Sequence, residues 1–254
     1  MNAQVETRHF AVSGYPHVTV KNDFGTIRAF RGAQHNEVVV QITRRNRVFG
    51  YAPESVHASY AAHEREAGGN EVVVTIEREE FSLATTTTEV DVDIAIPGRA
   101  DLNLRTKAGS ITVTDGYGQL VSSSNAGTIT VRHSLLTGDS RLSTDAGFIH
   151  FEGAIEPHGR YEFTTVMGTI RVVLLNTPAF HVDAVTTLGT ITTNLPSVVV
   201  ARPTVLGSEA HGDVGMEPRA TLALKSTIGA VELQAWTLAA TASSEDVQGQ
   251  YTLG

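Results

Sequence analysis

The stretch IPGRADLNLRTKAGSITVTDGYGQLVSSSNAGTITV, Ile96 to Val131, carries one short frame twice: Gly109-Ser110-Ile111-Thr112-Val113 and Gly127-Thr128-Ile129-Thr130-Val131. Reading outward, the frame returns at Gly147-Phe148-Ile149, Gly168-Thr169-Ile170 and Gly189-Thr190-Ile191, with steps of 18, 20, 21 and 21 residues. Weaker copies follow at Gly212-Asp213-Val214, Gly229-Ala230-Val231 and Gly249-Gln250-Tyr251, and an early one stands at Gly25-Thr26-Ile27. A nearly constant period of this length marks stacked structural repeats, each burying its apolar face only against its neighbours.

Aligning the units on their glycines produces columns. Two residues after the glycine stand Ile27, Ile111, Ile129, Ile149, Ile170, Ile191, Val214 and Val231. Four after stand Val113, Val131, Phe151, Val172 and Leu233, while Ala29, Thr193 and Met216 depart. Three before stand Thr106, Ser124, Thr144, Thr165, Thr186 and Ser226; five before stand Leu104, Leu142, Phe163 and Leu224. Side chains alternate across a strand, so the +2 and +4 columns share one face. Stacking then turns each column into a ladder, and burial of each Ile contributes roughly 1.5–3 kcal/mol. The glycine suits a corner that needs positive φ or close approach of neighbouring backbones. The hydroxyl column suits hydrogen bonding around that corner. These features predict an all-β chain wound as a β-solenoid, or β-helix, of about eight coils of 17–23 residues. The usual chirality of crossover connections makes the expected winding right-handed. A propeller with two units per blade is the minor alternative.

Residues 1–100 read as an irregular β-rich capping segment, and residues 101–254 as regular repeats continuous with it. Strands are expected at His17–Lys21, Gly25–Phe30, Glu37–Arg44, Glu71–Arg78 and Val90–Ile96, the last closed by Pro97-Gly98. Between Ala52 and Ala67 the alternation of Val56, Ala58 and Tyr60 favours a hairpin that turns at Gly68-Gly69-Asn70 over a short helix starting near Pro53.

The motif set from Ile96 to Val131, with Val18–Val40 as an opening, resembles the bacterial putative-adhesin family of β-strand repeats, a domain of unknown function. The resemblance runs from about Val18 to Gly254 and rests on structural glycines and core aliphatics. It implies a β-solenoid in a bacterial cell-envelope setting, and it carries over no catalytic residue.

The composition is globular, with 41% hydrophobic and 18% charged residues, which argues against extended disorder. Absence of cysteine removes disulfides, thiolate catalysis and Cys-ligated metals. A net charge of −8 disfavours nucleic acid and anionic lipid as partners, so nucleic acid and direct membrane insertion are not expected. No secretory signal or apolar membrane span is visible, so the expected location is cytoplasmic as the sequence stands, and the cell envelope if a signal or anchor has been removed.

No His-x₃-His or HExxH spacing occurs among the ten histidines, so no metal and no cofactor is expected. Asp91 and Asp93 share a strand face, but sugar hydrolysis needs carboxylates converging in a groove with aromatic walls, and aromatics make up only 6% of the chain. No catalytic residues are assigned. The candidate ligand contacts are Phe148, His150 and Arg171, on neighbouring repeats in the outward +1 and +3 columns. The expected function is a non-enzymatic structural, scaffolding or adhesin-like binding module; a carbohydrate-active enzyme with a groove on the solenoid face is the alternative. Expected partners are a second copy, paired through the C-terminal repeats, or a protein or glycan.

Overall fold

A computed structural model of the chain describes residues 3–34, 36–46, 56–64, 70–78, 88–175, 179–203 and 205–236. The strands before residue 100 are β1 (Ala3–Ala11), β2 (His17–Phe24), β3 (Ile27–Arg31), β4 (Glu37–Asn46), β5 (Val56–Glu64), β6 (Asn70–Arg78) and β7 (Thr88–Ile96). Then come β8 (Asp101–Ala108), β9 (Ile111–Thr114), β10 (Tyr117–Gly118), β11 (Leu120–Ala126), β12 (Ile129–Leu136), β13 (Asp139–Ala146), β14 (Ile149–Ile155), β15 (Arg160–Met167) and β16 (Ile170–Leu175). The last are β17 (Phe180–Leu188), β18 (Ile191–Thr193), β19 (Val198–Ala201), β20 (Ser208–Val214), β21 (Ala220–Ile228) and β22 (Val231–Trp236). Among the described residues the protein is all-β.

Two eleven-stranded sheets face each other. Sheet A runs β1-β4-β7-β3-β9-β12-β14-β16-β22-β18, with β10 beside β12; sheet B runs β19-β20-β17-β21-β15-β13-β11-β8-β2-β6-β5. Each repeat places one strand in sheet B, turns at its glycine and places the next in sheet A. Neighbouring repeats pair parallel and in register: Ile111 with Ile129, Ile129 with Ile149, Ile149 with Ile170. The two inner faces meet in a core of aliphatic ladders, and Phe151 of sheet A touches Phe163 of sheet B at a centroid distance of 5.5 Å. Ile111, Ile129, Ile149 and Ile170 are all fully buried, and Ile191 nearly so.

The corners explain the glycine frame. Gly109, Gly127, Gly147, Gly168, Gly189 and Gly229 all have φ between +143° and +157°. A Cβ on Gly147 would also collide with the carbonyl oxygen of Gly127, and one on Gly168 with that of Gly147. Both the backbone conformation and the close approach of successive corners therefore require glycine. The same carbonyl oxygens accept hydroxyls from the column three residues before each glycine. Ser124 donates to Gly109 (3.1 Å), Thr144 to Gly127 (3.1 Å) and Thr186 to Gly229 (2.8 Å). Asn22 plays this part in the first repeat, donating to the Val90 carbonyl at 2.7 Å.

The stack departs from chain order at two places: near its start β2/β3 lie between β6/β7 and β8/β9, and the second departure follows β16. Ile170 is followed in space by Val231 and only then by Ile191, because β21 and β22 insert between β15/β16 and β17/β18. The chain between Leu175 and Phe180 therefore steps across two strand spacings, about 10 Å, and the C-terminal repeat fills the slot. Nor does the Gly212 frame form a corner. It lies within β20, which runs antiparallel to β17, with Val214 opposite Phe180. Gly212 serves close packing instead: a Cβ there would strike the Ser197 carbonyl beside β19. The Gly249 frame lies outside the described residues.

Residues before 100 do two things. β2 and β3 form a regular repeat, pairing in register with β8 and β9, and at the end of sheet A the strand β1, absent from the sequence reading, pairs antiparallel with β4, which in turn pairs antiparallel with β7. β5 and β6 form the expected hairpin at the end of sheet B; its turn at 65–69 lies outside the described residues.

Candidate functional site

The outer face of sheet A carries the residues singled out in the sequence. His150 on β14 and Arg171 on β16 are direct cross-strand neighbours, and exposed Phe148 precedes β14 at the corner. The structure adds carboxylates that the sequence reading did not name. Glu152 Oε2 lies 3.8 Å from His150 Nε2, Glu232 Oε2 lies 3.7 Å from Arg171 Nε, and Arg132 stands beside Glu152 on the neighbouring strand. Burial, then the charges of Arg132 and Arg171, hold the His150 imidazole below its ordinary pKa, against an opposing pull from Glu152. His150 and Arg171 are thus adjacent, each with its own carboxylate partner.

Asp91 and Asp93 hold the first repeat together. Asp91 is buried; its Oδ1 accepts the Thr26 amide at 3.0 Å and its Oδ2 lies 3.0 Å from Arg45 Nη2. Asp93 accepts Arg28 Nη1 at 3.1 Å. On sheet B an open polar depression of about 360 Å³ is lined by Gln119, Asp139, Arg141, Arg160 and Glu162 among others. Glu162 is tied to Arg141 at 3.1 Å and faces Lys225 at 3.7 Å.

The third surface follows from the corners. The residue before each glycine points outward, and in stacking order this column reads Phe24, Ala108, Ala126, Ala146, Met167, Ile228, Leu188 and Leu206. It is large at Phe24, small at the next three positions and large at the last four. Met167, Ile228, Leu188 and Leu206 are 53%, 45%, 41% and 64% exposed, and Val166 and Val205 extend the ridge. The tetrapeptides Val166-Met167-Gly168-Thr169, Thr227-Ile228-Gly229-Ala230, Thr187-Leu188-Gly189-Thr190 and Val205-Leu206-Gly207-Ser208 contain no charged residue. Earlier corners bear Asp23, Lys107 and Asp145 at the equivalent outward position. The glycine alignment contained this signal, in the column just before the glycine, but the core columns drew the reading inward. The sequence could not show that Ile228 lies between Met167 and Leu188.

Both edges of β21 and of β22 are occupied. Strand-edge pairing by the C-terminal repeats is therefore not open to these two strands, and residues 237–254 lie outside the described residues. Among the described residues the outermost strands are β1 and β18 in sheet A and β5 and β19 in sheet B.

No protein-family model matches the chain, and no curated protein matches it. Solved structures do. A putative cell adhesion protein from Clostridium sporogenes is 10% identical with a TM-score of 0.46, the match covering 92% of this chain and 100% of that one. A putative adhesin from Bacteroides fragilis is 9% identical with a TM-score of 0.35, covering 91% and 97%. A putative lipid binding protein from Parabacteroides distasonis is 8% identical with a TM-score of 0.22, covering 92% and 97%. At these identities and TM-scores, what those proteins do is not carried to this chain.

Proposed function

We propose that this chain is a non-enzymatic, adhesin-like binding or scaffolding module, built as a right-handed β-solenoid, and that its contact surface is the uncharged corner ridge over the last four repeats. The observation that carries the reading is the change along one column, from Ala108, Ala126 and Ala146 to Met167, Ile228, Leu188 and Leu206. A contiguous exposed apolar strip on a rigid scaffold is a feature of interaction surfaces. The family resemblance of the sequence supports the same class of function.

The partner proposed first is a second copy. A chain with a net charge of −8 repels itself over most of its surface, and the ridge is where two copies can meet without opposing like charges. Sedimentation velocity over rising concentration tests this. The wild type should associate, and Met167→Glu with Leu188→Glu should abolish association while leaving the circular dichroism spectrum unchanged. A strictly monomeric wild type at high concentration would remove self-association and leave a protein or glycan as the partner. If the ridge variants also bind immobilised cell-envelope glycans and proteins as the wild type does, the ridge itself is not the contact surface.

A further inference from the structure

We infer that the edge of the stack opposite the glycine corners carries a binding site for a carboxylated saccharide, built on a ladder of Tyr15, Arg99 and Tyr117. The three residues stand ten positions before Gly25, Gly109 and Gly127, so they are equivalent in three repeats. His17 pairs with Asp101 and Leu102 with Leu120, and sheet B stacks these repeats in the order β2, β8, β11. Arg99 therefore falls between the two tyrosines. Backbone hydrogen bonds hold the three turns together. The Asp101 amide donates to the Pro16 carbonyl at 2.9 Å, and the Ala100 amide to the Tyr117 carbonyl at 3.0 Å. Arg99 Cζ lies 4.3 Å from the Tyr15 ring centroid and 5.0 Å from that of Tyr117.

A guanidinium held over ring faces is left with its edges, and the edges carry the N–H donors. Among the described residues Arg99 makes no ion pair and no side-chain hydrogen bond. The carboxylates next to the ladder in sequence are engaged elsewhere: Asp101 Oδ1 accepts the Gln119 amide at 2.9 Å, and Asp115 Oδ1 lies 3.9 Å from His133 Nδ1. A second cation stands on the same turn, since a Cβ on Gly98 would lie 3.4 Å from Arg31 Nη2. Arg31 likewise has no ion pair among the described residues. In a chain of net charge −8, two neighbouring arginines without carboxylate partners mark a place for an external anion. The planar N–H fork of Arg99 matches a carboxylate bidentately. What borders the fork is phenol. Tyr15 is 60% exposed, and a tyrosine offers an apolar ring and a polar hydroxyl together. A sugar ring presents the same pair of needs, an apolar C–H face and a rim of hydroxyls, so a saccharide bearing a carboxylate fits ring and fork at once.

Isothermal calorimetry on the full chain tests the inference with trigalacturonic acid, a hyaluronan tetrasaccharide and sialyllactose as probes, against neutral maltotriose and sodium acetate. At least one acidic saccharide should bind saturably, with maltotriose and acetate weaker by about tenfold or more. Arg99→Ala should weaken that binding about tenfold or more, and Arg99→Lys should weaken it too, because an ammonium keeps the charge but not the fork. Arg105→Ala, which removes the same charge from the same repeat, should leave it unchanged. Should Arg99→Ala lose the wild-type circular dichroism spectrum, Arg99→Lys and Tyr15→Ala give the same reading. Failure of all three acidic saccharides to bind would overturn the site, as would binding that survives the Arg99 variants. Acetate or maltotriose binding as tightly as the acidic saccharides would overturn it as well, leaving a plain anion contact or a neutral-sugar surface. None of these outcomes depends on the apolar ridge, which lies on the other edge of the stack.

Discussion

The middle of the molecule, β8 to β16, and its far end, β17 to β22, are made from the same repeat yet assembled differently. In the middle, each repeat lies on the one before it in the chain. At the far end, the last described repeat sits inside the stack and the earlier one lies outside it, with the antiparallel pair β19–β20 added. The glycines of both regions share one conformation, and the hydroxyl column makes the same hydrogen bond in both. A repeat thus specifies how any rung docks on a neighbour. It does not specify which rung that neighbour is.

Hydrogen exchange should separate the two possible orders most sharply. Amides of β21, flanked by β15 and β17, should be protected like those of β15, while the edge strands β18 and β19 should exchange faster, by a factor on the order of a thousand. Fast exchange over 221–235 with slow exchange over 191–201 would break the comparison. Next in size is the corner itself. Gly168→Val forces a Cβ against the Gly147 carbonyl at φ +151° and should cost roughly 3 kcal/mol or more. Thr169→Val beside it should stay within about 0.5 kcal/mol. Equal effects in denaturant melts would mean that the corners tolerate side chains.

The core ladder gives a third contrast. Ile149→Ala, in the middle, should cost about 2–5 kcal/mol. Ile191→Ala should fall at the low end of that range or beneath it, since its strand pairs on one side only, with β22. A larger loss at Ile191 would show that the far end limits global unfolding. The smallest effect expected is a pH dependence at His150. Its folded-state pKa lies below the ordinary value, so the unfolded chain binds the proton more readily and stability falls as pH drops below about 6.5. His150→Gln should flatten the melting temperature between pH 7 and the lower, folded-state value. An unchanged slope would show that Glu152 offsets the burial.

Much of this was legible in the residues. The Ile columns, the corner glycines and the hydroxyl column could be read directly, because each reports a local requirement repeated at fixed spacing. The strands from β2 to β7 could be read because alternating Val and Ile runs end at polar or Pro-Gly boundaries. The Gly212 frame was misleading for a physical reason. A glycine needed for close backbone approach looks the same in sequence as one needed for a positive-φ corner, and only the packing against Ser197 separates them. The same antiparallel return brings His211-Gly212-Asp213 against His181-Val182-Asp183, a pairing with no signature in linear spacing.

The sequence by itself determined the unit: a strand, a glycine corner and a second strand, with apolar side chains inward and hydroxyls capping the corner carbonyls. These are consequences of alternation, φ and burial within some twenty residues. Only the tertiary structure decided the order of units, the continuity of the apolar ridge across Met167, Ile228 and Leu188, and the meeting of β17 with β20. The physical reason is that parallel, in-register rungs present nearly identical surfaces to one another. The repeat therefore leaves neighbour choice open, and connection lengths and the antiparallel edge settle it.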